Sequence, residues 1–344
     1  MKKYMLIIAM LVSSLTAMAQ EEKDTVVITL HDGTEVRYTS DQFDRVQIIY
    51  NLKYGVKVYL KDGKSKDYLA QKVVVAEYQG GGGDVTDLNR NCNLYRAKLL
   101  EYPHLAADST MNQLIIKSTE DYGITYSLEW SYADKANRWT CYQMHAGNSM
   151  KNVTRKDAFR EDPEIPVQYR SKLSDYSGSG FSRGHLCPSA DRLCSQEQNS
   201  QTFFLSNMQP QYQNHNNGLW ARLEDKIRVW ADQCDTLYVV KAATIRSDQI
   251  LDVKCNDRLI VPKYFYMAVL AYKKSTDSYE AMGLWTEHSS TTDSNKNLGD
   301  YAITIDELEE RTGIDFFCNL PDNVEETAER KAINYNYWGI TTTK

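Results

Sequence analysis

A histidine, several arginines and an amide–carboxylate pair fall close together in the middle of the chain. Gly178-Ser179-Gly180-Phe181-Ser182-Arg183-Gly184-His185-Leu186 leads into Pro188-Ser189-Ala190-Asp191-Arg192. Phe203-Phe204-Leu205-Ser206-Asn207-Met208-Gln209-Pro210-Gln211 follows, and then Asn216, Trp220, Glu224 and Arg228. His185 comes just after Gly184, where the backbone can turn tightly. A neutral imidazole near pH 7 takes a proton from water, and the planar fork of Arg183 can hold a phosphate. A base beside a phosphate clamp is what hydrolysis of a phosphodiester needs. Taken alone, Arg-Gly-His is more often a buried histidine beside a surface arginine. Glu224 and Arg228, four apart on one helix face, are more often a surface ion pair. Asn216 alone reads as a helix cap. As a metal ligand it would offer one hard, neutral oxygen and leave Mg²⁺ most of its waters, with Glu224 placed to hold one of those waters.

These side chains need a frame. Leu237-Tyr238-Val239-Val240 and Phe265 to Tyr272 are strands by their β-branched and aromatic content. Leu219 to Gln233 is a helix, because Leu219, Leu223, Ile227 and Trp230 keep a helical spacing. Ile305 to Glu310 opens another, which Gly313 ends. Residues 91–344 therefore read as one mixed α and β domain. Upstream, Val27-Ile28-Thr29-Leu30-His31-Asp32-Gly33 is repeated as Val56-Lys57-Val58-Tyr59-Leu60-Lys61-Asp62-Gly63. Each Asp-Gly is a hairpin signal, with second strands at Glu35 to Tyr38 and Lys66 to Leu69. Residues 20–79 thus form a small β-rich repeat domain. Gly80-Gly81-Gly82-Gly83 reads as a flexible linker within 80–90. Lys2-Lys3, the apolar run from Met5 through Leu15 and Ala17-Met18-Ala19 read as an export signal over residues 1–19, cleaved after Ala19. That run is too short for a comfortable ~20-residue membrane span, and no second segment is long or apolar enough.

The formal net charge of −6 argues against tight holding of nucleic acid by a broad basic surface. It argues less against a hydrolase, which releases its product and needs only a local cluster of arginines. Export permits disulfides among the 7 cysteines, an odd count that leaves one thiol over. No Cys-x-x-Cys occurs, and the histidines His31, His104, His145, His185, His215 and His288 lack ligand spacing, so a zinc centre is disfavoured. No motif reads out an oligomeric state.

Taken in order, the segments resemble the DNA/RNA non-specific endonuclease family, whose members share the ββα-metal, or His-Me finger, core. The family pattern is D-R-G-H-x-x-P, then S-N-x-x-P-Q after a strand, then N-x-x-x-W-x-x-L-E. Arg183-Gly184-His185 with Pro188 matches the first part. Ser206-Asn207 with Pro210-Gln211 matches the second, and Asn216, Trp220, Leu223 and Glu224 the third. Weaker agreement surrounds these, from Arg155 through Asp162-Pro163 and onward to Leu320-Pro321, so the likeness covers roughly 120–325. It implies an α+β fold: a ββα-metal finger on a central antiparallel sheet with flanking helices, preceded here by the β-repeat domain. It also implies DNA and RNA as substrates, Mg²⁺ (or Mn²⁺) held by Asn216, and His185 as general base. Arg183, Arg228 and Arg155 would stabilise the transition state, Glu224 would orient a metal-bound water and position Arg228, and Asn207 would set the finger around His185. Products would carry 5′-phosphates. Ser182 stands where the family has Asp, which puts the support of the His185 loop in question. Two other readings share some of these residues: a metal-dependent phosphodiesterase on a non-nucleic substrate, and a non-catalytic surface protein built around the repeat. If His185 is the base, activity falls as pH drops through the imidazole pKa, ~6.5 if the ring is unperturbed.

Overall fold

Alternating apolar residues between Asp-Gly turns dictate the N-terminal architecture. The computed structural model describes residues 7–8, 25–30, 34–39, 41–48, 56–68, 73–79, 91, 99–291 and 296–343. It divides into two compact units, Met1–Leu99 and Leu100–Lys344. The export-signal reading of 1–19 lies outside the described residues apart from Ile7–Ile8, a short strand that runs parallel to Val75–Ala76. The glycine linker and the Asp32-Gly33 turn lie outside them too.

In the first unit each repeat supplies three strands. Thr25–Leu30, Glu35–Thr39 and Phe43–Ile48 come from the first, and Val56–Leu60, Ser65–Tyr68 and Val73–Gln79 from the second. The third strand of each pairs antiparallel with the first strand of the other, Val73–Gln79 with Thr25–Leu30 and Phe43–Ile48 with Val56–Leu60. The repeats thus complete each other's sheets. Tyr38 and Tyr68, equivalent positions 30 residues apart, meet hydroxyl to hydroxyl at 2.5 Å. Gly63 takes the left-handed conformation, φ 83°, at the described Asp-Gly turn.

The second unit is built on a sheet of seven strands. In chain order its strands and those of the finger are β1 (Asn112–Thr119), β2 (Gly123–Ser131), β3 (Ala136–Met144), β4 (Ser182–His185), β5 (Met208–Gln211), β6 (Thr236–Ala243), β7 (Tyr264–Lys273), β8 (Ser278–Glu287) and β9 (Ala302–Ile303). The sheet order is β9-β8-β7-β6-β3-β2-β1, antiparallel at every pairing. β4 and β5 pair only with each other, Arg183 opposite Pro210 and His185 opposite Met208. The helix α1 (Ala221–Ala231) follows them. The strands read at 237–240 and 265–272 run longer, as β6 and β7.

β7 is almost wholly buried, so both sheet faces are covered. Its side chains alternate. Phe265 faces Trp220 and His215 at centroid distances of 5.3 and 5.2 Å. Tyr266 meets Phe316 at 6.1 Å, in the segment between helices Ile305–Thr312 and Asp322–Arg330. The finger therefore sits on one face and those helices on the other. Leu223, Ile227 and Trp230 of α1 are buried in the finger-side core. At roughly 25 cal/mol per Å² of apolar surface, a buried tryptophan such as Trp220 anchors its element by several kcal/mol.

Two sequence readings change here. The helix read as Leu219 to Gln233 is α-helical over Ala221–Ala231 and is entered through a π-helical turn at Asn216–Trp220. The cysteines form no disulfide among the described residues: Cys141, Cys187, Cys194, Cys234, Cys255 and Cys318 are free, and Cys92 lies outside them. No helix among the described residues is long and apolar enough to cross a membrane.

Candidate active site

The finger fold makes one open cleft of about 880 Å³, lined by Arg155, Arg183, His185, Asn216 and Glu224 among others. His185 closes β4. Its ring packs against Phe159 and Phe203 at centroid distances of 5.7 and 5.1 Å. Its Nε2 is buried and has no hydrogen-bond partner, while the residue as a whole is half-buried and lines the cleft. Burial depresses the imidazole pKa to about 3. Arg155, Lys241 and Arg183 push the same way, against Asp157. The value near 6.5 belongs to an unperturbed, solvated ring, and the apolar, cation-rich surroundings lower it.

Asn207 fixes the loop that carries this histidine. Its amide accepts from Cys187 N–H at 2.9 Å and donates to the Cys187 and Thr202 carbonyls at 2.8 and 2.9 Å. Gly184 is needed for a reason other than a tight turn. A Cβ there would stand 2.1 Å from Gln211 Oε1, inside the strand pair. Ser182, at the family's aspartate position, donates its hydroxyl to the Gln213 side chain, three residues before Asn216. Trp220 Nε1–H donates to the His185 carbonyl at 3.3 Å. Both bonds tie the histidine strand to the Asn216 segment, so the loss of a carboxylate at 182 leaves that link in place.

Arg183 is exposed, with its guanidinium 3.9 Å from the Phe159 ring centroid. Arg155 is also exposed. It stacks 5.2 Å from Phe203 and pairs with Asp157 at 2.7 Å. The two arginines flank His185 across the same aromatic pair, which holds the charged ends toward the cleft.

Asn216 is not a helix cap. It has helical dihedrals, φ −60° and ψ −52°, and begins the π-helical turn, a geometry that recurs at functional sites. The histidines around it are structural. His215 Nδ1 accepts from Gln211 Nε2 at 2.6 Å, and its Nε2 meets Thr286 Oγ1 at 3.2 Å; that hydroxyl donates onward to the Phe265 carbonyl. His288 Nδ1 donates to the Pro262 carbonyl at 2.7 Å, and its Nε2 accepts from Tyr212 N–H at 2.7 Å. Each ring therefore has one donor and one acceptor nitrogen in use and is neutral. Burial lowers their pKa values to about 3 and about 4.

Glu224 and Arg228 are not partners. Arg228 pairs with Asp191 at 2.8 Å and Asp225 at 2.5 Å and is not among the residues lining the cleft. Glu224 faces Lys241 Nζ at 3.4 Å. Lys241 is wholly buried in β6, beneath the Tyr142 and Trp220 rings. Sequence reasoning missed Lys241, although a lone lysine inside the apolar run of β6 was the available signal. Burial raises the Glu224 carboxyl pKa, and the Lys241 charge opposes that rise. An amide oxygen and a desolvated carboxylate, both oxygen donors and two helical turns apart, fit a hard divalent cation and would not suit zinc.

The family model for DNA/RNA non-specific endonuclease matches residues 109–323. A nuclease of Nostoc sp. is 30% identical over 65% of this chain and 80% of its own. Mouse mitochondrial nuclease EXOG is 28% identical over 74% of this chain and 72% of its own. Nuclease C1 of Cunninghamella echinulata is 32% identical over 57% and 81%. A chain in the crystal structure of the EndoG/EndoGI complex superposes with a TM-score of 0.52 at 21% identity, over 61% of this chain and 88% of that one, a likeness of fold. Nucleases of this family are generally dependent on a divalent metal. The chain belongs to the DNA/RNA non-specific endonuclease family and is a nucleic-acid-hydrolysing enzyme.

Proposed function

We propose that the protein is an exported, Mg²⁺-dependent endonuclease that cleaves DNA and RNA without regard to the sugar, with His185 as general base and Asn216 as the direct metal ligand. The observation that carries this reading is the half-buried His185 lining the same cleft as Asn216 and two exposed arginines. The His185 imidazole removes a proton from the attacking water. Arg183 and Arg155 bind non-bridging phosphate oxygens and balance the charge that builds in the transition state. Asn207 holds the histidine loop in place. Glu224, facing the Lys241 ammonium, accepts hydrogen bonds from water at the Asn216 amide. Arg228 acts through Asp191 and the helix rather than on the phosphate. Asn216, with Glu224 behind it, would hold Mg²⁺ or Mn²⁺, which would supply Lewis-acid stabilisation of the developing charge. Contacts to phosphate alone carry no base information, so sequence preference is weak.

The test is nicking of plasmid DNA and of RNA by the purified enzyme with Mg²⁺ or EDTA, wild type beside His185→Ala. Cleavage retained by the variant removes His185 from this role. Lys2-Lys3 and the apolar run behind them support export, which N-terminal sequencing of the mature protein would check. Catalysis is assigned to residues 91–344, and the repeat domain of 20–79 to another task. Removal of 20–79 should leave nicking intact.

A further inference from the structure

Far from the histidine in the chain, acidic residues converge between the two helices that cover the other sheet face. One oxygen from each of Asp306, Glu309 and Glu329 lies within 4.8 Å of the others, and the same is true of Asp315, Glu325 and Glu329. The spacing explains the convergence: Asp306 and Glu309 share one face of helix Ile305–Thr312, and Glu325 and Glu329 share one face of helix Asp322–Arg330. Asp315 comes from the connecting segment, where Gly313 and Phe317 take left-handed dihedrals, φ 68° and 57°.

Glu329 belongs to both triads. It is 8% exposed, and its Oε1 is buried without a hydrogen-bond partner. Glu309 Oε1 accepts the Phe316 N–H at 2.7 Å. Arg330 approaches Asp306 at 3.6 Å from an exposed position and directs another nitrogen at Glu326. A carboxylate withdrawn from water without a donor or counter-charge must either take up a proton or hold a cation. Burial, reinforced by the neighbouring carboxylates, pushes Glu309 up to about 8 and Glu329 up to about 10.

We propose that these carboxylates form a Ca²⁺ site, centred on Glu329, that clamps helix Ile305–Thr312 to helix Asp322–Arg330. The donors are all carboxylate oxygens from three consecutive segments. Ca²⁺ takes about 6–8 oxygen ligands in flexible geometry, whereas Mg²⁺ keeps several waters and is held by one or two carboxylates, so a donor set of protein carboxylates suits the larger ion. Zinc is disfavoured because neither triad offers nitrogen or sulfur. The site shares no ligand with the nuclease cleft, so its role is to hold the covering layer of the sheet.

The test is thermal unfolding and calorimetric titration of the full chain with Ca²⁺, against EGTA, in wild type, Glu329→Gln and Asn216→Ala. Millimolar Ca²⁺ should raise the wild-type Tm by roughly 5 °C. Glutamine mimics a protonated Glu329, so that variant should fold, cleave DNA with Mg²⁺ like wild type, and show neither the rise nor the Ca²⁺ heat. Asn216→Ala should keep both, which separates this site from the nuclease metal. No Ca²⁺-dependent rise in the wild type overturns the proposal, as does a rise undiminished in Glu329→Gln. A rise lost in Asn216→Ala but kept in Glu329→Gln also overturns it, by assigning the ion to the cleft.

Discussion

The nuclease cleft and the acidic cluster behind the sheet apply one physical device with opposite sign. Both take titratable groups out of water. Around His185 the surplus charge is positive, from Arg155, Arg183 and Lys241, and the imidazole is driven neutral. Around Glu329 the surplus is negative, and the carboxyl is driven toward its protonated form. The first surrounding suits an anionic phosphate and a neutral base, and the second suits a bound cation. Desolvation alone therefore does not say what a site binds. The sign of the charge left around the desolvated group does.

The strongest way to break this contrast is His185→Ala. Loss of a general base should cost 10²–10⁴ in cleavage rate and leave the Ca²⁺ response of the acidic cluster untouched. A variant that still cleaves at a tenth of the wild-type rate or better would defeat the base assignment. Asn216→Ala should follow, with a loss of roughly a hundredfold at fixed Mg²⁺ that added metal partly restores. A loss that rising Mg²⁺ leaves unchanged would count against Asn216 as the ligand.

Lys241→Met sharpens the comparison through stability. It strands Glu224 without its counter-charge and should cost about 3 kcal/mol. Adding Glu224→Gln should recover part of that cost, because the uncompensated charge is then gone. Denaturant unfolding of Lys241→Met, Glu224→Gln and the double variant reads this out, and single costs that simply add in the double variant would show that the pair carries no coupling.

The smallest effect concerns pH. Arg155→Ala removes a positive charge that holds the His185 pKa down, so the ring should titrate at higher pH than in the wild type, as ¹³C-histidine NMR would show. Cleavage should fall roughly tenfold through loss of one phosphate contact. The wild-type ring should stay neutral down to about pH 3. His185, His215 and His288 all have folded pKa values below their unfolded ~6.5. The unfolded chain binds more protons, so their contribution is full above ~6.5 and is lost as pH falls toward 3–4. An unfolding free energy independent of pH between 7 and 4 would contradict this.

Local spacing wrote a good deal of this protein into its sequence. The order Arg183-Gly184-His185, then Ser206-Asn207, then Asn216 and Glu224 identified the family, and β-branched runs located β6 and β7, because propensity and short-range pattern act over a few residues. Partnerships belonged to the tertiary structure. Glu224 turned from Arg228 to Lys241, Arg228 went to Asp191, and Ser182 reached Gln213. The repeats exchanged their third strands, and five carboxylates from three segments met at Glu329. Each of these depends on which surfaces the packed sheet brings together and on how much water it excludes, and neither quantity can be read from neighbours along the chain.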